Sequence, residues 1–551
     1  MNKAKSFAAG AKLAAGARSL HKRLKTRASA TAATIITRKP RYFKLRRAPQ
    51  QMQRWGEHQH HPHTNWGDLF FDLIYVAAAF QLGALLKESV SLKGVAYFLV
   101  LFMTLAHAWQ CKLNYDARID VDDLVHKLLD VVEALLVATM ALHISGGSSS
   151  SFTPLEDMTN LKTGHAWGFS VAAALHRFLH AVRWLEVYYT KETEESTASA
   201  VTQVTWRLTE GLVYVVAAAL SNSKVVGDVG ADYAAIAWAF AVFWTVFQLV
   251  YKVIITKNIS RKTTIPMNIE YCLHRFGEWT MLMIGESILS LIVGVPLKNK
   301  FPFYFVFACG FFVATSLQFI HYATQPMEAD EHAMRRKAGA GVTWSNLIML
   351  QSACFVSLGV SLKILLKYAT YSYMKDKYAI LLCASYAGVY CTTQMMKSTH
   401  CGLHQFMAVT GLHNATCIFP FLDKERVQNE ARLIFADDAS ARKRKLLTLV
   451  KIGTIVVTLL LPGMLSGRSP LLLAGALLAI CVVQAFSEAV GNSTAVLSQD
   501  GHRRASEAHH LHDEHSAVEA DALEANEGHE EQDETSLTAD VPSSSQSAVQ
   551  L

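Results

Sequence analysis

The chain has 551 residues, of which 51% are apolar and only 18% charged, and its mean hydropathy is +0.20. A soluble protein of this length would divide into several charged domains. The apolar residues instead gather into runs near 20 residues, which excludes a soluble multidomain enzyme and, because the runs do not alternate, a transmembrane β-barrel. The net charge of +7 averages two unlike ends. Met1–Gly56 holds fifteen Lys or Arg and no acid, whereas the tail from Asp500 is acidic and His-rich.

Residues 1–64 read as a basic, disordered arm that ends in the cluster Glu57-His-Gln-His-His-Pro-His63. Such an arm fits an anionic lipid surface, an organelle transit segment or a positive-inside flank. Membrane spans are predicted near 69–86, 94–111, 126–144, 166–188, 200–220, 232–255, 272–295, 302–323, 344–366 and 377–396, a ten-helix core within 65–396. Residues 397–445 are too polar to cross and read as a loop with an amphipathic helix, and the run Arg442-Lys-Arg-Lys445 closes it. Two further spans follow within 446–490, near 446–464 and 470–490. Residues 498–551 read as disorder. The whole is an all-α polytopic membrane protein of about twelve transmembrane helices. Twelve crossings place both termini on one side, and the basic loops place that side in the cytoplasm. The glycosylation sequons at Asn258, Asn414 and Asn492 would then all face inward.

Acidic motifs repeat along this chain. Asp68-Leu-Phe-Phe-Asp72 opens the first span, and His274-Arg-Phe-Gly-Glu278 opens the seventh. Aligning Phe70 on Phe276 places Asp72 on Glu278. The loop after span 2 carries Asp120, Asp122 and Asp123, and the loop after span 8 carries Glu328, Asp330 and Glu331 at nearly the same offset. The matched offsets suggest two parallel six-helix repeats, an arrangement found in transporters.

Charge inside a span is costly, so it faces the bundle interior and pairs. Asp72 lies one turn deeper than Asp68, which is expected at the solvated interface. Arg275 and Glu286 are eleven residues apart, close to one helix face, and Gly285 would let a neighbouring backbone approach Glu286. Asp72, Arg275, Glu278 and Glu286 are therefore the candidate intramembrane charged site, with Arg275 pairing to Asp72 or Glu286. In span 4, His176 and His180 have a spacing that could bind metal. The sequence shows no third ligand, so no metal is assigned. Arg183 is placed to pair with Glu186 in the same helix. His107 is expected to be a satisfied interior histidine, and the nine cysteines, none in a CxxC, to be small core fillers. No GxxxxGK[ST], HExxH or GxSxG occurs, so the residues supply no ATP-driven motor, catalytic group or cofactor motif.

Trp66-Gly-Asp-Leu-Phe-Phe-Asp-Leu-Ile-Tyr-Val76 followed by Gln81-Leu82, then Arg118-Ile-Asp-Val-Asp-Asp123, then Arg275-Phe-Gly277 with Ile284-Gly-Glu-Ser287, resemble in order the sequence blocks of the bacterial low-temperature-requirement A (LtrA) family, over residues 65–365. Asp68 stands where the resemblance expects Glu, and Tyr271 and His274 where it expects His and Glu. The resemblance implies a multipass membrane protein with no defined substrate, cofactor or catalytic residue. The leading expectation is a secondary transporter or channel-like protein with a proton- or ion-coupled charged site. A lipid-acting membrane enzyme and a structural or assembly factor are the alternatives. Its expected partners are the lipid bilayer and ions or a small solute, with no nucleic acid.

Overall fold

The computed structural model describes residues 44–55, 66–144, 163–221, 230–255, 264–293, 298–326, 331–336, 338–401, 406, 438–465 and 469–491. Among them are thirteen helices and one two-residue ladder. The long helices are α1 (Trp66–Glu88), α2 (Leu92–Asp116), α3 (Leu124–Ile144), α4 (Thr163–Thr190), α5 (Glu194–Leu220), α6 (Gly230–Ile255), α7 (Ile269–Ile292), α8 (Phe301–Ala323), α10 (Ala338–Tyr368), α11 (Asp376–Cys401), α12 (Asp438–Met464) and α13 (Pro470–Gly491), with the single turn α9 (Ala333–Arg336) before α10. Each predicted span falls on one long helix. Seven of them, α1, α2, α8 and α10–α13, are long and apolar enough to cross a membrane on composition alone. The protein is a multi-pass, all-helical membrane protein.

The chain forms two compact units. The first comprises residues 1–78, 104–150 and 159–275. In it α4 packs against both α3 and α5, and α5 against α6. The α4–α5 connection is only three residues long. It turns at Lys191, whose φ of 50° is left-handed, and Thr193 then opens α5 with a capping box: its hydroxyl accepts from Ser196 N while the Ser196 hydroxyl accepts from Thr193 N. Gly211 of α5 admits the Phe178 ring of α4, because a Cβ there would meet the ring at 2.4 Å.

Residues 44–55 differ from the expected disordered arm. Gln50–Gln51 (β1) pairs antiparallel with Ile119–Asp120 (β2), Met52 N donates to Arg118 O, and Leu124 N and Val125 N donate to the carbonyls of Lys44 and Leu45. Two of the basic residues here face acids: Arg46 lies 3.0 Å from Glu186 and Arg47 3.9 Å from Asp120. Residues 1–43 and the His58–His63 cluster lie outside the described residues.

The second unit comprises residues 79–103, 151–158 and 276–551. Its centre is the 31-residue α10, packed against α11, which in turn packs on α12. Close backbone approach is made by Gly359 of α10, where a Cβ would lie 2.6 Å from Ser287 Cα of α7. The Ser287 hydroxyl donates to Phe355 O at 2.7 Å. Gly285, expected to make such a contact, faces open space. The polar stretch assigned to a loop at 397–445 is helical at both ends, since α11 runs to Cys401 and α12 starts at Asp438. Lys and Arg are good helix formers, so the basic run extends α12 rather than ending it. Residues 402–405 and 407–437, the three sequons and the tail lie outside the described residues.

Candidate functional site

In the first unit, α1 and α7 are joined by two rungs one helical turn apart. Tyr271 donates its hydroxyl to Asp68 Oδ2 at 3.1 Å. One turn further on, Arg275 grips Asp72 with both arms of its guanidinium, Nη1 to Oδ2 at 2.9 Å and Nη2 to Oδ1 at 2.8 Å. Trp109 of α2 adds an indole N–H to Oδ1 at 2.8 Å, and the guanidinium carbon lies 5.8 Å from the centre of the Trp109 ring. Asp72 is completely buried. A planar fork on a carboxylate is the strongest ion-pair geometry available to side chains, and burial removes the water that would weaken it. Both rungs advance in the same direction along the two helices, so α1 and α7 run parallel. The predicted Asp72–Arg275 pairing is therefore present. Asp68 is not at a solvated interface: it is 8% exposed, with the Tyr271 hydroxyl supplying a hydrogen bond in place of water.

Further ion pairs continue from α2 to α5. Lys112 of α2 lies 2.9 Å from Asp116 and 3.1 Å from Asp130 of α3. Arg183 of α4 spans Asp130 at 2.9 Å and Glu133 at 3.1 Å. Glu133 faces His180 at 2.9 Å and His176 at 3.3 Å. On the other side of α4, Arg177 lies 3.3 Å from Glu210 of α5, which Arg207 meets at 2.8 Å. Cys111 Sγ accepts from both Arg177 and Arg207, at 2.7 and 2.9 Å. Four bases thus meet four acids across four adjacent helices.

Several expectations change here. Arg183 pairs across to α3 rather than with Glu186, because its face of α4 is buried against that helix. Glu186 instead takes Arg46 and, at 3.2 Å, His126. His107 is buried with neither ring nitrogen hydrogen-bonded, so it is not a satisfied histidine. Cys111 is an acceptor between two guanidiniums rather than a core filler. Trp109, Lys112 and Cys111 went unrecognised as polar partners because nothing in an aromatic, a lysine near a helix end or a lone cysteine marks which neighbour it will face.

The acidic loop is partly structural. Asp123 caps α3, accepting from His126 N and Arg47 N at 2.7 Å each. Burial would push its carboxyl up, but these backbone N–H groups and the adjacent His126 ring hold it below the usual carboxylate range. Asp122 pairs with Lys127 at 2.9 Å, and Asp120 is exposed, 3.9 Å from Arg47. In the matching loop Glu331 is exposed, while Glu328 and Asp330 lie outside the described residues.

Glu278 and Glu286 belong to the second unit. Glu278 is half-buried, and the buried Glu286 accepts from the Ser290 hydroxyl at 3.1 Å. Glu278 therefore does not repeat the buried environment of Asp72, with which the motif aligned it. This unit also holds a buried acid outside the predicted charged site. Glu488 of α13 is buried between Lys451 at 2.6 Å and Lys397 at 3.1 Å. It is the only acidic or basic side chain between Pro470 and Gly491.

The family model described as bacterial low temperature requirement A protein (LtrA) matches residues 63–485. The chain belongs to this family. No curated protein and no solved structure matches it. The LtrA match extends past the sequence blocks, through α10–α12 and into α13. Two of the three departures from the LtrA pattern, Asp68 and Tyr271, are the two partners of one hydrogen bond, so a shorter acid meets a longer hydroxyl-bearing side chain. The third, His274, is exposed.

Proposed function

We propose that this LtrA-family protein is a secondary transporter or channel-like protein in which the Asp72–Arg275 pair belongs to a proton- or ion-coupled site, with Glu286 and Glu278 as further candidate charged groups. The observation that carries this reading is the fully buried Asp72, held by Arg275 and Trp109 between helices that could pack with apolar residues alone. An isolated charge at the centre of a span costs roughly 2.5–3.5 kcal/mol. Replacing a buried ion pair by well-packed apolar residues is often neutral or stabilising. A bundle evolved only for stability has no need of the pair, whereas a moving ion or proton does. Ions or a small solute are the proposed cargo, and both termini are proposed to face the cytoplasm.

The test is reconstitution into sealed liposomes with a pH-sensitive dye inside. Proton or cation flux is expected in wild type, reduced at least tenfold by Asp72→Asn and by Glu286→Gln while both variants remain folded in detergent. Absence of flux in wild type across a panel of cations, or flux unchanged in both variants, overturns the proposal. A structural role predicts the reverse pattern, in which the variants lose thermal stability and no flux is seen.

A further inference from the structure

The fold supplies the third ligand that His176 and His180 lack in sequence. Glu133 of α3 reaches them from the adjacent helix. Its Oε1 lies 2.9 Å from His180 Nε2 and 3.3 Å from His176 Nε2, and the three groups offer ligand atoms all within 4.8 Å of one another. Every one of these side chains is at most 1% exposed. With metal–nitrogen and metal–oxygen bonds near 2.1 Å, neighbouring ligands of a tetrahedral site lie roughly 3.4 Å apart. Two edges of that polyhedron are already close to this length.

The polar accounting points the same way. Both imidazoles aim Nε2 at one carboxylate oxygen, but only His180 makes a well-formed hydrogen bond there. Both nitrogens of His176, and His180 Nδ1, make none. Buried polar groups left in that state are costly. A cation between the three would take both Nε2 lone pairs and the Oε1 charge together. The other carboxylate oxygen, Oε2, lies 3.1 Å from Arg183 Nη1, and Arg183 Nη2 is anchored on Asp130 at 2.9 Å. That is the outer support that orients a ligating carboxylate. On the α2–α3 side of the site the acids outnumber the bases. Lys112 and Arg183 face Asp116, Asp130 and Glu133, two bases against three acids. Arg177, next to His176 in sequence, is directed to Glu210 instead.

We infer that Glu133, His176 and His180 form a buried three-ligand site for a divalent transition-metal ion, of which Zn²⁺ is the probe of choice. Two imidazoles and one carboxylate suit Zn²⁺, Mn²⁺, Fe²⁺, Co²⁺ or Ni²⁺, whereas Ca²⁺ and Mg²⁺ prefer oxygen alone. The inference is independent of any flux, since the site can hold metal in a protein that moves nothing.

The test uses full-length protein in detergent, stripped with chelator and titrated with Zn²⁺. His58, His60, His61, His63 and the tail histidines from His502 to His515 could hold zinc loosely, so a second chain carries Gln at all of them. Both chains are expected to bind one ion tightly, with X-ray absorption showing two imidazole ligands. His176→Gln and His180→Gln should abolish that tight binding, and Arg183→Gln should weaken it 10–100-fold, the usual effect of removing an outer-shell partner. The inference is overturned if stripped wild type takes up no tight zinc, or if the tight ion disappears with the arm and tail histidines and persists in His176→Gln and His180→Gln. Should the core variants fail to fold, the wild-type spectrum decides, and fewer than two imidazoles overturns it.

Discussion

Asp72 and Arg275 form a pair whose two halves should be costly to lose singly and cheap to lose together. Removing one partner of a buried pair leaves the other charge uncompensated and costs about 3–5 kcal/mol. Asp72→Leu and Arg275→Met are each expected to lower thermal stability in detergent by that order, and the double variant to recover most of it. If the pair is only structural, the double variant should behave as wild type in every assay. If it belongs to a coupled site, stability returns and flux does not. Two residues outside the spans predict the response to acid. Asp123 has a depressed pKa in the folded state, so its stabilising contribution is complete above the unfolded value near 3.9 and is lost as pH falls through the folded one. Asp123→Ala, which also removes the α3 cap, should cost about 1 kcal/mol at pH 7, and the gap from wild type should close towards pH 3. His332 is buried against the Trp344 ring, 4.4 Å away, and the His400 ring, 4.5 Å away, and burial pushes its pKa down to about 4. The unfolded chain takes up this proton near pH 6.5 and the folded one only near pH 4, so stability falls between those values. The loss approaches about 3 kcal/mol at the lower end, and a thermal melt series on His332→Gln should show a flatter slope across that window.

Between helices, the informative positions are those where two backbones meet. Gly359 admits Ser287 and its own helix cannot move away without breaking the Ser287–Phe355 hydrogen bond. Gly359→Ala should therefore cost about 1–3 kcal/mol, as overpacking does. Gly285→Ala, with nothing within 4 Å of its Cβ, should be neutral or stabilise by up to about 1 kcal/mol through helix propensity. Thermal melts of the two variants check the contrast, and equal losses would mean that the α7–α10 contact is not as tight as described. The same contrast shows what was legible in the sequence. All twelve long helices could be located, because twenty-residue apolar runs have one answer in lipid. The Asp72–Arg275 pairing could be foreseen, because a buried acid requires a base and Arg275 opens the one span whose motif mirrors its own. Gly285 beside Glu286 misled, since helical phase tells which residues share a face but not which face meets a neighbour. Glu133 escaped as a partner of His176 and His180 for a similar reason: the adjacency of α3 and α4 across 43 residues of chain is a property of packing, and the two-residue ladder that ties 50–51 to 119–120 is equally invisible before the fold exists.

At the scale of the molecule, parity decides how many helices cross the bilayer. Among the described residues only seven helices are apolar enough to be recognised by composition, an odd number that, if they alone crossed, would put the two termini on opposite sides. Four of the other five, α3, α4, α5 and α7, carry the charges that lower their hydropathy. Those charges are largely matched: Asp130, Glu133, Arg183, Arg207, Glu210 and Arg275 all lie in ion pairs within the first unit. Composition counts each as a full penalty of about 2.5–3.5 kcal/mol, but a matched pair facing the bundle interior does not meet lipid. Helix α7 supplies a second argument, because its two rungs to Asp68 and Asp72 place its first turns alongside α1, itself apolar enough to span. All twelve long helices are therefore expected to cross. Epitope tags at the N- and C-termini should be accessible from the same face of sealed vesicles, and a cysteine replacing Lys224, in the segment after α5, should be labelled only from the opposite face. If α3–α7 do not cross, the terminal tags separate and Lys224→Cys is labelled from the N-terminal side, so the two sites together distinguish twelve crossings from seven without reference to function.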